Sequence, residues 1–284
     1  MRCLVLAKQF SAKNIYFAML NLPNNIGYKV EEAGHHIIWL NSEDAIELIS
    51  VITKLSINLL VIDHYEIGYD DELGIKNKTG IDIFVLDDTY EKHHCDILLN
   101  HNIYADVEKY KTLVSNSCDL RCGPQYTLLR DEFIEQKFSH KSKLKINDKK
   151  MIFVAMGGAD SAGISIDILQ VLVLIPNIRI NIVTTRGNKK LTQLIEYIKG
   201  KENIYLHIDS KQIAKLIANS DLAIVTPSVM VNEVFYLDVP FVAIKTSDNQ
   251  KFMMQYLQEH GFYAFDSFLR KDFLQCANNL LIQQ

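Results

Sequence analysis

The sequence predicts an α/β protein made of two consecutive Rossmann-like domains. Three observations carry that prediction. Short apolar runs rich in β-branched residues alternate with helix-period segments along the chain. Strand–helix–strand alternation of this kind builds a parallel sheet covered by helices. A lysine-rich stretch of low apolar content interrupts the alternation near the middle, and the pattern then restarts and runs to the end.

In the first half, strands are predicted at Ile15–Leu20, His36–Leu40, Ile57–Asp63, Ile83–Asp87 and Asp96–Leu99. Ser42–Leu55 reads as a helix, with Ile46, Ile49, Ile52 and Leu55 on one face. Asn41 or Ser42 is placed to cap it, and Glu43 and Asp44 suit the positive end of its dipole. The opening Arg2–Ala7 is basic then apolar. Its apolar part ends at Lys8, short of the roughly 7–15 residues of a signal-peptide core, so it reads as the middle of a helix. The interruption, Lys137 to Lys150, holds six lysines and one aspartate. It reads as a solvated linker rather than a basic ligand patch.

In the second half, strands are predicted at Met151–Met156, Ile178–Thr184, Ile204–Ile208, Leu222–Val225 and Phe241–Ile244. Helices are predicted at Ile164–Leu174, Leu191–Ile198, Ser210–Ala218, Val229–Leu237, Asn249–His260 and Arg270–Ile282. The domain organisation is therefore 1–136, a linker at 137–150, 151–268, and a closing helical segment at 269–284.

Composition narrows the function. A chain of 284 residues, 48% apolar and 23% charged, can bury two cores. A net charge of -4 argues against nucleic acid, which needs a basic excess to neutralise phosphates. No apolar run reaches the roughly 18 residues that cross a bilayer. Five cysteines without a CxxC pair suggest neither a disulfide framework nor zinc. These features together predict a cytoplasmic protein without membrane or nucleic-acid partners; a monomer is expected, though none of these features bears on oligomeric state.

Ligands of doubly wound sheets sit beyond the carboxyl ends of the strands, so the residues just after each strand are the site candidates. Gly157-Gly158-Ala159-Asp160 follows one strand. Two glycines allow close backbone approach, and the amino end of the next helix is placed to face a diphosphate; a plain tight turn is the structural alternative. Thr226 and Ser228 end another strand, and Asn232 and Glu233 stand on the first turns of the next helix. An acid there can accept hydrogen bonds from ribose hydroxyls, or merely favour the helix dipole. Lys245 to Gln250 makes a third polar loop. In the first half, Asp63-His64-Tyr65 and Asp87-Asp88 end strands. His93, His94 and Cys95 are potential metal ligands by type. Adjacent histidines diverge, however, and Cys95 opens a strand, so no metal site is assigned.

The stretches IDHY (62–65), DD (87–88), HHCDILLN (93–100), RCGPQYTLLRDEF (121–133), MGGAD (156–160), SDLAIVTPSVMVNEV (220–234) and DNQ (248–250) occur in an order that resembles one family. It is that of the UDP-2,4-diacetamido-2,4,6-trideoxy-β-L-altropyranose hydrolases of pseudaminic acid biosynthesis. The resemblance spans Arg2 to about Ser267. Its second-half pieces are shared with other glycosyltransferase-B-like proteins, including the transferase that makes the peptidoglycan lipid intermediate. The resemblance implies a glycosyltransferase-B-type pair of domains and hydrolysis without metal or cofactor, water replacing UDP at the anomeric carbon with inversion. It implies Gly157, Gly158, Thr226, Ser228, Asn232 and Glu233 for UDP, and Arg2, Asp63, His64, Tyr65, Asn249 and Gln250 for the UDP-linked 6-deoxy sugar. The product would serve flagellin or surface glycans.

One departure matters. The family pattern opens with a strand and a GxGHxxR loop whose histidine is the expected catalytic base. Met1–Ala7 matches the segment immediately after that histidine, so the expected base lies upstream of Met1 and the first domain lacks its opening strand. A misassigned start and a truncated gene both produce this pattern. His64 is the substitute base within the chain. A UDP-sugar-binding protein without turnover and a glycosyltransferase on the same fold are the alternatives.

Overall fold

The computed structural model describes residues 2–10, 14–22, 25–42, 44–139 and 149–282. The chain forms two compact units, Met1–Leu128 and Leu129–Gln284. All strand pairings among the described residues are parallel.

The first unit runs α1 (Arg2–Ala7), β1 (Tyr16–Leu20), α2 (Gly27–Glu32), β2 (His36–Leu40), α3 (Ala45–Leu55), β3 (Leu59–Ile62), α4 (Tyr69–Thr79), β4 (Asp82–Leu86), β5 (Ile97–Asn100), α5 (Val107–Tyr110) and β6 (Asp119–Cys122). Its strands form two separate sheets, β1-β2 and β3-β4-β5-β6. Alternate residues of a strand point to opposite faces, and the two faces of the larger sheet pack differently. Phe84, Leu86 and Leu99 meet Leu6 of α1. Ile62, Ile83, Val85 and Leu98 meet Leu48 and Ile52 of α3 and Ile75 of α4.

The predicted start of α3 is corrected. Asp44 is its cap, accepting from the Ile46 amide at 2.8 Å. Asn41 and Ser42 instead donate to the Glu47 carboxylate. Asp44→Ala should therefore cost about 1 kcal/mol, read as a shift in urea midpoint. A smaller effect than that of Ser42→Ala would overturn the assignment.

The second unit runs α6 (Asp131–Ser139), β7 (Lys150–Ala155), α7 (Ser165–Leu172), β8 (Ile178–Thr184), α8 (Leu191–Ile198), β9 (Ile204–Ile208), α9 (Ile213–Ala218), β10 (Leu222–Val225), α10 (Val229–Tyr236), β11 (Phe241–Ile244), α11 (Lys251–Glu259), β12 (Tyr263–Phe265) and α12 (Arg270–Ile282). Its single sheet has the order β12-β11-β10-β7-β8-β9. The chain winds outward from β7 through β8 to β9, returns to the other side of β7, and winds outward again. The core is apolar on both faces, as a doubly covered parallel sheet requires: β10 and β11 are buried along their whole length.

The break between the units falls earlier than position 136. α6 packs against α9 and α10 and buries Phe133 completely, which ties it to the second unit. Most of the lysine-rich stretch, residues 140–148, lies outside the described residues. No helix among the described residues is long and apolar enough to cross a membrane.

Candidate functional site

In the second unit the chain reverses direction at β7 and β10, which are neighbours in the sheet. Such a switch point opens a crevice between the loops that leave the two strands, and ligands of doubly wound sheets bind there. The loop after β7 contains Gly157 and Gly158, and the loop after β10 contains Thr226 and Ser228. Gly157 adopts φ +75°, a conformation that strains any side chain. A Cβ on Gly158 would lie 3.0 Å from the Thr185 methyl. The Gly158 carbonyl accepts from the Thr185 amide at 3.0 Å and from its hydroxyl at 2.8 Å. The loop after β8 thereby fixes the glycine loop, a support that sequence reading missed because the partners are 27 residues apart.

The expectation that the amino end of α7 faces a ligand is revised. The Asp160 carboxylate accepts from the Ile164 and Ser165 amides, both at 3.2 Å, and so occupies that helix end itself. Across the switch point, the Thr226 and Ser228 hydroxyls are 3.1 Å apart. Ser228 caps α10, accepting from the Met230 amide at 3.4 Å. Asn232 and Glu233 are buried on α10. Glu233 accepts from Arg130 at 3.1 Å, and Arg130 also pairs with Glu132 at 2.7 Å. Burial raises the Glu233 carboxyl above its ordinary range, and Arg130 works against that rise. Arg130 thus holds the Glu233 carboxylate from 103 positions away. After β11, the Gln250 side chain accepts from the Thr246 amide at 2.8 Å, and Asn249 accepts from the Ser247 hydroxyl at 2.7 Å.

In the first unit the polar ends of β3, β4 and β5 converge. Arg2 of α1 donates to Asp63 at 2.6 Å and to Asp88 at 2.9 Å. The Cys3 thiol donates to the other Asp63 oxygen at 2.9 Å. Tyr65 donates its hydroxyl to Asp88 at 3.0 Å. Burial opposes ionisation of Asp63, but Arg2 outweighs it and holds the carboxyl below its usual range. Burial, reinforced by Asp63, pushes the Cys3 thiol up to about 12, so it stays protonated at neutral pH. His64 is exposed beside them and accepts from the Glu66 amide at 3.1 Å. Arg2, Asp63 and Tyr65 thus form one cluster joined through Asp88. His101, after β5, is buried, and burial followed by the charge of Arg2 lowers it to about 4, which keeps it neutral.

His93, His94 and Cys95 diverge. His93 Nδ1 lies 2.7 Å from buried Glu72, and its Nε2 lies 3.9 Å from Asp87. His94 stacks edge-on against Tyr69. The Cys95 sulfur is 3.7 Å from that of Cys118. Among the described residues, no group of three or more His, Cys, Asp or Glu side chains is arranged to hold a metal ion.

The chain is 38% identical over 262 residues to the UDP-2,4-diacetamido-2,4,6-trideoxy-β-L-altropyranose hydrolase of Campylobacter jejuni, an alignment covering 92% of this chain and 91% of that one. It belongs to that hydrolase family. An uncharacterised Methanocaldococcus jannaschii protein, MJ1062, is 24% identical over 251 residues, 86% of this chain and 51% of that protein. No family model matches. MurG of Acinetobacter baumannii superposes with a TM-score of 0.66 at 12% identity, covering 99% of this chain and 86% of that one. The glycotransferase of kitacinnamycin gives 0.65 at 13% identity, covering 100% and 86%. MnaA of S. aureus, solved with UDP, gives 0.61 at 11% identity, covering 99% and 84%. These likenesses establish the fold: two Rossmann-like domains of the glycosyltransferase-B type.

Proposed function

We propose that this chain is a nucleotide-sugar hydrolase, cleaving UDP-2,4-diacetamido-2,4,6-trideoxy-β-L-altropyranose to UDP and free 2,4-diacetamido-2,4,6-trideoxy-L-altrose. The step belongs to pseudaminic acid biosynthesis for flagellin or surface glycans. The identity to the C. jejuni hydrolase over nearly the whole chain carries the reading. The switch-point geometry of the second unit supports a diphosphate-linked ligand there.

UDP is assigned to the second unit. With the amino end of α7 occupied by Asp160, the glycine-loop amides are the backbone donors for the diphosphate. Thr226 and Ser228 offer hydroxyls, and Glu233, paired with Arg130, accepts from the ribose; Asn232 supports that helix turn. Asn249 and Gln250 are assigned to the sugar, as are Arg2, Asp63, His64 and Tyr65 of the first unit. A water oxygen bonds to the anomeric carbon while the bond to the diphosphate oxygen breaks. UDP leaves with the electron pair, the water proton passes to a base, and configuration inverts. No metal or cofactor enters this scheme. His64 is the candidate base within this chain. We place the activity on a cytoplasmic monomer, a setting to which five free cysteine thiols are suited.

UDP release with water as the sole acceptor tests the reading. Release with the free inverted sugar as co-product is expected. Release only when a second sugar or lipid acceptor is added would make the chain a transferase, and saturable binding without any release would make it a binding protein. If His64 is the base, His64→Ala should lower kcat by about 10²–10⁴-fold with little change in KM.

A further inference from the structure

Two cysteines meet in the first unit, at the amino ends of β5 and β6, away from the strand ends that carry Asp63 and Asp88. The sulfur atoms of Cys95 and Cys118 lie 3.7 Å apart. β5 and β6 pair in parallel with Ile97 opposite Asp119, and the Asp119 amide donates to the Asp96 carbonyl at 2.8 Å. One step back, Asp96 stands opposite Cys118, so Cys95 and Cys118 are offset by one residue. With strands about 4.8 Å apart and a rise of about 3.3 Å per residue, their Cα atoms are roughly 6 Å apart, which is the span of a disulfide. Both side chains turn into the same apolar cluster, with Leu98 and Leu120. No backbone movement is needed to bring the two sulfurs from contact to bonding distance.

The two thiols differ in access and acidity. Cys95 is buried, whereas Cys118 is half-buried and follows three exposed residues, 115–117. A hydrogen bond from the Cys95 thiol lowers Cys118 below the ordinary thiol range, and the same bond raises Cys95. Burial opposes the lowering, as do Asp119 and Asp96. Those two carboxylates are themselves paired, Asp119 with Arg121 and Asp96 with Lys76. The remaining thiols are held protonated: burial pushes Cys3 and Cys276 up to about 12 and Cys122 up to about 11. An accessible thiol of lowered pKa beside a resolving cysteine is the arrangement of peroxide-sensing sites. Transient disulfides of this kind form in otherwise reducing compartments.

We infer that Cys118 is a peroxide-reactive thiol and Cys95 its resolving partner, so that hydrogen peroxide joins the two in a reversible disulfide. The Cys118 thiolate attacks a peroxide oxygen. The S–O bond forms, the O–O bond breaks, and hydroxide leaves with the thiol proton as water. The Cys95 sulfur then attacks the Cys118 sulfenic acid. The S–S bond forms, the S–O bond breaks, and hydroxide leaves with the Cys95 proton as a second water. Two thiols are oxidised and one peroxide is reduced. The link closes a ring over β5 and α5. Within it, Tyr104 donates to the Asp88 carbonyl at 2.5 Å and Tyr110 to the Asp87 carboxylate at 2.6 Å. Oxidation therefore removes unfolded-state freedom from the segment that supports Asp87 and Asp88. The inference rests on the paired sulfurs and is independent of the hydrolase reading.

The test treats the full chain with a small excess of hydrogen peroxide near neutral pH, blocks the remaining thiols by alkylation and maps the peptides by mass. The chain should lose the two thiol hydrogens, and a peptide joining Cys95 to Cys118 should appear and then vanish on addition of dithiothreitol. Without peroxide, iodoacetamide should alkylate Cys118 at least about tenfold faster than Cys3, Cys122 or Cys276. In Cys95→Ser the hydroxyl can still donate to Cys118 but cannot resolve it. Dimedone should there trap Cys118 sulfenic acid at a yield at least about tenfold above that of the parent. Absence of the linked peptide from the parent would overturn the inference and leave the pair as two packed apolar thiols. So would faster reaction of another thiol, or trapping in Cys95→Ser no greater than in the parent. If Cys95→Ser yields no folded protein, the linkage and alkylation rates of the parent decide. UDP release is not used, so failure here would leave the proposed reaction untouched.

Discussion

Replacing His93 with leucine should destabilise the first unit by about 3–5 kcal/mol, the range for a buried ion pair stripped of one partner. Glu72 is fully buried, and one of its oxygens lies 2.7 Å from the His93 ring. Its other oxygen accepts from the His94 amide at 2.6 Å, which does not neutralise the charge. Asp87, 3.9 Å from His93 on the other side, keeps donors from Thr89, Tyr90 and Tyr110 in the variant. The loss therefore centres on Glu72. The double variant His93→Leu with Glu72→Leu should recover most of it, since a buried pair can be replaced by apolar residues at little cost. Urea denaturation with hydrogen exchange at Ile83–Leu86 would measure both. A single variant as stable as the parent would refute the argument.

The same pair sets a pH dependence. Burial would lower the His93 pKa, but Asp87 and Glu72 outweigh burial and hold it at about 9, above the ordinary 6.5. A pKa raised by folding stabilises in full below the unfolded value and is lost as pH rises through the folded one. The first unit should therefore lose stability between about pH 6.5 and 9. The His93→Leu variant should lack that decline.

How much of this was legible in the sequence depends on where each signal came from. Leu222–Val225 and Phe241–Ile244 were read with their observed bounds, because strands buried on both faces appear as unbroken apolar runs; Ile178–Thr184 was too, its isoleucines alternating with Arg179 and Asn181 before a β-branched end. α4 was not read. Its sequence YDDELGIKNKT buries only Glu72 and Ile75, so no apolar stripe marks it. β6, with Asp119 and Arg121 among its four residues, and β12, with three, were too short and too polar to register. The candidate loops could be chosen because strand ends mark where a ligand of a doubly wound sheet can lie. Their supports were not. Thr185 under Gly158, Asp160 over the end of α7, and Arg130 beside Glu233 are tertiary pairings that no local pattern encodes.

The Arg130 pairing carries the second large effect. Arg130→Met should weaken UDP binding by about 10–100-fold near neutral pH, and the loss should shrink as pH rises. One charge-assisted hydrogen bond is worth about 1.5–3 kcal/mol, which corresponds to that range. Burial already raises the Glu233 carboxyl, Arg130 opposes the rise, and neighbouring Glu132 adds to it. Without the guanidinium, burial and Glu132 act unopposed, and a larger fraction of Glu233 is protonated. A protonated carboxyl is a poorer acceptor for ribose hydroxyls. Raising the pH restores the carboxylate in Arg130→Met and with it part of the affinity. Glu233→Gln can never regain the charge, so its loss relative to the parent should not shrink as pH rises. Titrating UDP by calorimetry from about pH 6 to about pH 9 separates the two variants. If Arg130→Met bound UDP as tightly as the parent, or lost the same factor at every pH, then Arg130 would not act through the charge of Glu233. The ribose assignment of Glu233 would fall with it if Glu233→Gln also bound UDP normally.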